Sequence, residues 1–468
     1  MHIQILLDSC NNVYKLLNKM RRKLYDYLKK WKQEEKGRIA LMIEGARRIG
    51  KSWLVEEFAK REYRSYILVD FTRISPELKS VFDNYLYDTD LFFMYLQTIT
   101  GIKLFKRESV IIFDEVQFYP KAREAVKHLV ADGKYDYIET GSLVSIKRNT
   151  KGILIPSEER QVKMFPMDFE EFLWALGDDT TMPFIRMCFE KKQPMGPVHR
   201  KTMDLFRQYM IVGGMPQAVK TFVEEKDFEH VDIVKRDILS LYRNDIQNYA
   251  ETLVEKVTSI WDTLPGQLQK HEKKFQFSAL QDEARFRSYE TSFFWLKEAE
   301  VVNICYGATE PSIGLEMKQD DSSLKLYMAD TGLLISHAFS EKQIMGEELY
   351  TKLLLGKLEV NEGMLVENIV AQMLRASGHK LFFFSSYSKN DSEQTMEIDF
   401  LIAKDTITTR HNISPIEVKS SARYTLSSLK KCIRKYGQQL STPYVLHSND
   451  LKVEEGITYL PLYMTPLL

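Results

Sequence analysis

Apolar residues along this chain follow two rhythms, and the points where one gives way to the other divide it into segments. Within 39–141, short strand-like stretches at 39–43, 66–70, 110–113 and 135–139, the first and third of them unbroken apolar runs, alternate with stretches at 51–60, at 76–101 and after Pro120 that carry apolar residues at helical spacing. Unbroken runs suit strands buried on both faces, and their alternation with helices predicts a parallel sheet covered on both sides. Ahead of it, Leu24, Tyr27, Leu28 and Trp31 share one side of an amphipathic helix expected to lie against that sheet domain. From 147 to 161 the chain is polar and basic. Helical periodicity then dominates to about residue 250, broken by Gly213, Gly214 and Pro216 in "IVGGMP".

Residues 277–308 read as two helices followed by a strand, the order of a winged helix-turn-helix, here favoured as a connector because no basic recognition face accompanies it. After Ser322 strand and helix mix again. "LKLYMADTGLL" is a strand into a turn, "EGMLVENIVAQMLRASG" a helix ended by Gly378, and "KLFFFSS", "MEIDFLIA" and "ISPIEVKSS" three further strands. The expected division is an N-terminal helical segment at 1–38, a parallel-sheet α/β core at 39–165, a helical and winged-helix-like region at 166–320, and a second α/β domain at 321–468.

A length of 468 residues suits about three such domains, and 44% hydrophobic with 28% charged residues is ordinary globular composition. Lys+Arg and Asp+Glu are each 65, so no global field draws the chain to nucleic acid, and any such binding needs a local patch. Cys10, Cys188, Cys305 and Cys432 are far apart, which fits reduced thiols better than a disulfide frame or zinc site. No apolar run approaches the ~18 residues of a membrane span, and no signal-peptide core is visible, so the expected setting is cytoplasmic, without a membrane partner.

The first run breaks into "EGARRIGKS", where Gly45, Gly50, Lys51 and Ser52 complete G-x-x-x-x-G-K-[ST] between a strand and a helix. Glycines at that spacing let backbone N–H groups turn inward around phosphate oxygens, and the following helix aims its positive end at them. The expected nucleotide contacts are Gly45, Ala46, Arg47, Arg48, Ile49, Gly50, Lys51, Ser52 and Trp53, with Lys51 on the β- and γ-phosphates and Ser52 on Mg2+. A loop of this kind requires a carboxylate across the sheet. Asp114, closing the 110–113 run, is expected to hold the metal, and Glu115 to polarise the attacking water. The strand at 135–139 ends in Thr140, Gly141 and Ser142, and a polar residue there is placed to sense the γ-phosphate. Arg148 and Arg160 follow that strand, and Arg160 is a candidate for meeting the γ-phosphate in cis or in trans.

A second constellation lies near the C-terminus. Glu397 and Asp399 share one face of a strand, and Glu417 and Lys419 share one face of the next, because side chains alternate with period two. An Asp followed by Glu-x-Lys on the neighbouring strand is a pattern by which a nuclease holds a divalent metal, and Glu367 on the preceding helix would add a third carboxylate. Strand-end charges on a solvated face would read the same way. Arg423, Lys430, Lys431, Arg434 and Lys435 follow without an intervening acid, either a solvated helix face or a seat for a phosphate backbone.

Taken in order, "IEGARRIGKS", "VIIFDEVQ", "IETGS", "KMFPMDFEEFL", "YMIVGGMPQAV", "KLYMADTGLL", "EGMLVENIVAQML", "EIDFLI" and "PIEVKSS" carry a resemblance over nearly the whole chain. The sequence resembles a family of prokaryotic AAA-type ATPases in which a P-loop core is followed by a winged helix and a restriction-endonuclease-like domain. The resemblance implies ATP at 45–52, Asp114 and Glu115 for Mg2+ and hydrolysis, Ser142 as first sensor, and Arg160 at the family's arginine before its "FPLSF"-like block. It also puts Glu367, Asp399, Glu417 and Lys419 on the nuclease-fold positions. Ala46-Arg47-Arg48 departs from the family's frequent Pro-Arg-Gln but leaves the glycines and the lysine intact.

The leading expectation is an ATPase whose nucleotide state moves a domain directed at DNA or RNA, assembled as a homo-oligomer if Arg160 acts in trans. The other is an ATP-gated adaptor whose nuclease-like fold is inactive and grips a partner. A kinase is disfavoured by the domains that follow the core.

Overall fold

The computed structural model describes residues 20–141, 157–270, 274–340, 352, 362–403, 412–421 and 423–468, which form two compact units. Ser142 and Arg148 lie outside the described residues.

The first unit, within 20–165, opens with α1 (Lys23–Glu35), which buries Leu28 and Trp31, the apolar side that its spacing dictates. It continues as β1 (Ala40–Glu44), α2 (Lys51–Glu62), β2 (Ser65–Asp70), α3 (Pro76–Asn84), α4 (Thr89–Thr100), β3 (Ser109–Asp114), α5 (Pro120–Asp132), β4 (Asp136–Gly141) and β5 (Glu159–Lys163). The strands form one parallel sheet in the order β2-β3-β4-β1-β5. Parallel pairing puts every strand's carboxyl end on one edge, and ligands of open α/β sheets bind beyond that edge.

Two local differences from the pattern have clear causes. The stretch 76–101 is two helices, because Ser75 and Asp88 each cap a new start by accepting from the N–H three residues on. The polar run that contains Arg160 forms, at 159–163, the edge strand β5, paired with β1 from Ala40↔Glu159 to Glu44↔Lys163. Its polarity is compensated inside: buried Arg123 on α5 donates through Nε and Nη2 to both oxygens of Glu159, at 3.1 and 2.7 Å. Phe71, Phe82, Phe92, Phe113 and Tyr119 pack edge-on and stacked in the main core of this unit.

The second unit, within 166–297 and 301–468, begins with helices α6 (Phe169–Ala175), α7 (Thr181–Lys191), α8 (His199–Val212), α9 (Pro216–Glu225), α10 (Phe228–Tyr249) and α11 (Val254–Gln269). Of the two helices expected in 277–308, one forms, α12 (Phe286–Glu298). Residues 277–279 make only a 3-10 turn, and the chain turns left-handed at Glu283 (φ 62°). Next come β6 (Val302–Ala308), β7 (Gln319–Met328), α13 (Thr331–Ala338), α14 (Glu362–Ala376), β8 (Phe382–Ser386), β9 (Met396–Ala403), β10 (Ile413–Val418), α15 (Ser427–Tyr436), β11 (Tyr444–His447), β12 (Lys452–Glu454) and β13 (Ile457–Pro461). These strands make one eight-stranded mixed sheet, β12-β13-β11-β10-β9-β8-β6-β7. The polar stretch 316–323, where a domain border is expected, therefore lies in the β6–β7 hairpin of a continuous sheet.

A buried polar lattice ties the recurring motifs of this unit together. Asp330 accepts from Gly214 N at 2.6 Å and from Leu333 N at 2.9 Å, capping α13. Gly213 stands at φ 83°, and a Cβ there would meet Asp330 Oδ1 at 2.3 Å, so the approach requires glycine. Gln372 accepts from Thr331 N and donates to the Tyr209 hydroxyl, which donates in turn to Met167 O. In this way "FPMDFEEFL", "YMIVGGMP", "ADTGLL" and "ENIVAQML" meet in one place.

Candidate functional site

The chain leaves β1 at Glu44 and turns through Gly45 (φ 155°), Arg48 (φ 69°) and Gly50 (φ 91°) before entering α2 at Lys51. Gly45 has no room for a side chain, since a Cβ would lie 2.3 Å from Met164 O. Lys51 is buried and curls back to donate to Gly45 O at 3.0 Å and Ala46 O at 2.9 Å. Burial lowers its pKa, while Glu115 and Asp114 act in the opposite sense. Ala46 and Ile49 are buried, whereas Arg47, Arg48 and Trp53 are exposed.

The parallel register then brings β3 and β4 to the same edge. Ser52 Oγ donates to Asp114 Oδ1 at 2.7 Å, and Thr140 Oγ1, from the end of β4, donates to the same carboxylate oxygen. Burial raises the Asp114 carboxyl, and the two hydroxyl donors offset part of that rise. Glu115 takes the left-handed conformation (φ 54°, ψ 48°), a strain of the kind kept at functional sites. Its N–H donates to Thr140 Oγ1 at 3.2 Å and its carboxylate accepts from Gln117 Nε2. An alcohol and a carboxylate oxygen side by side at the mouth of the loop form a hard donor set suited to Mg2+.

Of two further residues at this site, Thr140 belongs to the polar strand tip that the sequence singles out, and Arg22 carries no sequence signal of its own. Thr140 is the strand-tip residue that touches both acids. Arg22, buried ahead of α1, donates to Ile49 O at 2.9 Å and to Phe165 O at 2.6 Å, pinning the loop from behind. Arg160 is not brought to the loop. It pairs with Leu41 in the β5–β1 register, three residues before the end of β1, and its guanidinium donates to Glu35 of α1 at 2.6 Å.

The C-terminal constellation, described within its own unit, gathers differently from the spacing. Asp399 Oδ2 accepts from Val418 N at 2.8 Å, and Lys419 Nζ donates to Glu417 Oε1 at 2.6 Å. Glu417 is buried, and burial pushes its carboxyl up to about 7 against the pull of Lys419. Glu367 on α14 accepts from the Tyr327 hydroxyl at 3.1 Å. Between these groups stands Lys325 of β7, fully buried, its Nζ 2.7 Å from Glu397 Oε1 and 3.7 Å from Asp399 Oδ1. Among the described residues no three of His, Cys, Asp and Glu are grouped to hold a metal. Three of these acids face an ammonium and Glu367 accepts from a hydroxyl, so the set as arranged does not fit a divalent ion. The basic helix α15 is locally compensated: Lys430 pairs with Glu455, Arg434 with Glu393, and Lys431 donates to Ser392 O.

Comparison with known proteins agrees with the loop geometry. Residues 37–173 match the family described as an AAA domain, residues 203–343 the domain of unknown function DUF8612, and residues 362–464 the domain of unknown function DUF4143. The first match supports an AAA-type ATPase core at the residues that carry the loop. No curated protein matches the chain. Similar solved structures include a RuvB variant from Thermotoga maritima (10% identity, TM-score 0.28, 59% of this chain and 87% of that one). Others are AMPPCP-bound DnaA from Aquifex aeolicus (11%, 0.25, 59% and 89%) and Drosophila ORC bound to AT-rich DNA and Cdc6 (12%, 0.24, 72% and 98%). Among the described residues no helix is long and apolar enough to cross a membrane.

Proposed function

We propose that this chain binds MgATP at Gly45 to Ser52 and hydrolyses it, and that its nucleotide state repositions a nuclease-like C-terminal domain directed at DNA or RNA. The observation that carries the ATPase reading is the convergence of the Ser52 and Thr140 hydroxyls on one oxygen of Asp114, in the site that also holds the buried Lys51. Lys51, now held by two loop carbonyls, exchanges them for the β- and γ-phosphates, gaining an anionic partner for an ammonium that burial disfavours. Ser52 and Asp114 would hold Mg2+, which supplies positive charge to the phosphate oxygens. Glu115, kept in place by its backbone bond to Thr140 and its side-chain bond to Gln117, polarises the attacking water. Ser142, which follows Gly141 in the sequence and lies outside the described residues, is included as the first sensor.

The nuclease-like reading is supported by the order α14, β8, β9, β10, with Asp399 on β9 and Glu417 and Lys419 at the end of β10. A contribution of Arg160 is proposed only across the boundary of a homo-oligomer, because its register and its bond to Glu35 hold it away from its own loop.

Lys51→Ala should weaken ATP binding, and Glu115→Gln should slow turnover with binding largely kept. An unchanged ATP affinity for Lys51→Ala in a calorimetric titration would sink the assignment. Mixing Arg160→Ala with Lys51→Ala chains should restore part of the ATPase activity, and a fully active monomer would remove the contribution in trans.

A further inference from the structure

The D…ExK spacing supplies one cation, Lys419, but the fold brings a second that lies outside that pattern. Lys325 occupies an interior position of β7 and pairs across the hairpin with Cys305 of β6. Its side chain runs over the sheet face, with Nζ 5.1 Å from the Phe383 ring centroid on β8, and ends against the acids of β9. We propose that the Lys325 ammonium fills the place a divalent ion would take among Glu367, Glu397 and Asp399, so that the C-terminal domain binds its partner without cleaving it. The inference stands apart from the ATPase reading, since it rests on the second unit alone.

Three features carry it. Every acid of the set already faces a protein group: Glu397 and Asp399 form ion pairs with the Lys325 ammonium, the second oxygen of Asp399 accepts from Val418 N–H, Glu367 accepts from the Tyr327 hydroxyl, and one oxygen of Glu417 accepts from Lys419. An incoming dication would have to displace these donors and would also face an ammonium across the same carboxylates, a like-charge contact in a buried site. Nor can the lysine swing out to make room. It has no exposed surface, its backbone is held in the β6–β7 ladder, and Tyr327 beside it on the same strand face is buried as well. Burial of a lysine is tolerated where acids surround it, and burial of these acids where a lysine does. The acids keep Lys325 charged, raising its pKa above the usual lysine value although burial alone would lower it.

The test is a Mn2+ titration followed by electron paramagnetic resonance on the full-length chain without nucleotide. An Asp114→Asn background removes the acid of the phosphate-loop site. The chain with Lys325 intact should give a titration unchanged by Asp399→Asn, and should not nick plasmid DNA or single-stranded RNA in Mg2+ or Mn2+. Lys325→Met should gain one Mn2+ site at least ten-fold tighter than any in the parent, and Asp399→Asn should remove that gain. A parent site lost on Asp399→Asn overturns the proposal. So does a folded Lys325→Met chain that gains nothing. If circular dichroism shows Lys325→Met unfolded, the comparison of parent with Asp399→Asn decides alone. ATPase activity of Lys325→Met chains that retain Asp114 reports the phosphate-loop reading separately.

Discussion

Arg22 donates to the carbonyl oxygen of Ile49 at 2.9 Å, inside the phosphate loop and 27 residues away in sequence. A trans peptide places its C=O and the following N–H on opposite sides, so fixing Ile49 O outward fixes the N–H of Gly50 toward the loop interior. Arg22→Ala should therefore weaken ATP binding by roughly ten-fold or more, the scale of a hydrogen bond from a charged donor, and Arg22→Lys should recover part of it. Calorimetric titration of the three chains checks this, and equal affinities would show the contact to be incidental to the nucleotide.

Thr140 separates binding from chemistry. Its hydroxyl holds Asp114 and receives the Glu115 N–H, so Thr140→Val should leave ATP affinity within about two-fold while lowering kcat roughly ten-fold or more. A matching loss in affinity and rate, measured by titration and steady-state kinetics, would assign Thr140 to binding instead.

The residues that the sequence makes plain are those whose chemistry is local. Lys51 and Ser52 follow their glycines directly, and Asp114 and Glu115 close an unbroken apolar run that reads as a buried strand on its own. β5 is obscured because its buried carboxylate, Glu159, is satisfied by Arg123, which lies 36 residues earlier. Arg22 is obscured for the same reason, since its second acceptor, Phe165 O, is 143 residues away. Lys325 does leave a trace. A lysine amid "LKLYM" on a strand otherwise fit for burial calls for buried acids, but nothing in the spacing says that Glu397 and Asp399 supply them.

Glu44 gives the first unit a pH dependence. It closes β1 beside the loop, and burial pushes its carboxyl up to about 7, with Lys163 and Arg123 pulling it down and Glu159 and Glu300 adding to the rise. A carboxyl that holds its proton more tightly when folded stabilises the fold fully below its unfolded value of 4.5, and this contribution is lost as pH rises to about 7. Thermal midpoints should fall across that window. Glu44→Gln should flatten the fall and raise the midpoint at pH 8 by about 2–4 °C for each kcal/mol recovered. Superimposable pH profiles for the two chains would exclude Glu44 as the source.

In the second unit, Asp330→Ala strips the acceptor from Gly214 N and the cap from α13 together. Loss of a buried acceptor and of a cap costs about 1–3 and ~1 kcal/mol respectively, so the unit should unfold at clearly lower urea with an unchanged slope. Asp330→Asn, which keeps one acceptor oxygen, should fall between. An Asp330→Ala midpoint equal to that of the parent would mean that water satisfies the turn.

The bond between Asp330 and Gly214 spans 116 residues, which sets an order of events during synthesis. At ~5–20 residues per second, the Gly213-Gly214 turn leaves the ribosome roughly 6–23 s before the carboxylate that holds it. Through that interval the helices on either side of the turn can form, since their own bonds are local, but the bend between them has no anchor. A nascent chain halted before residue 330 should therefore display "IVGGMP" to proteases and chaperones, while the nucleotide fold ahead of it is already complete.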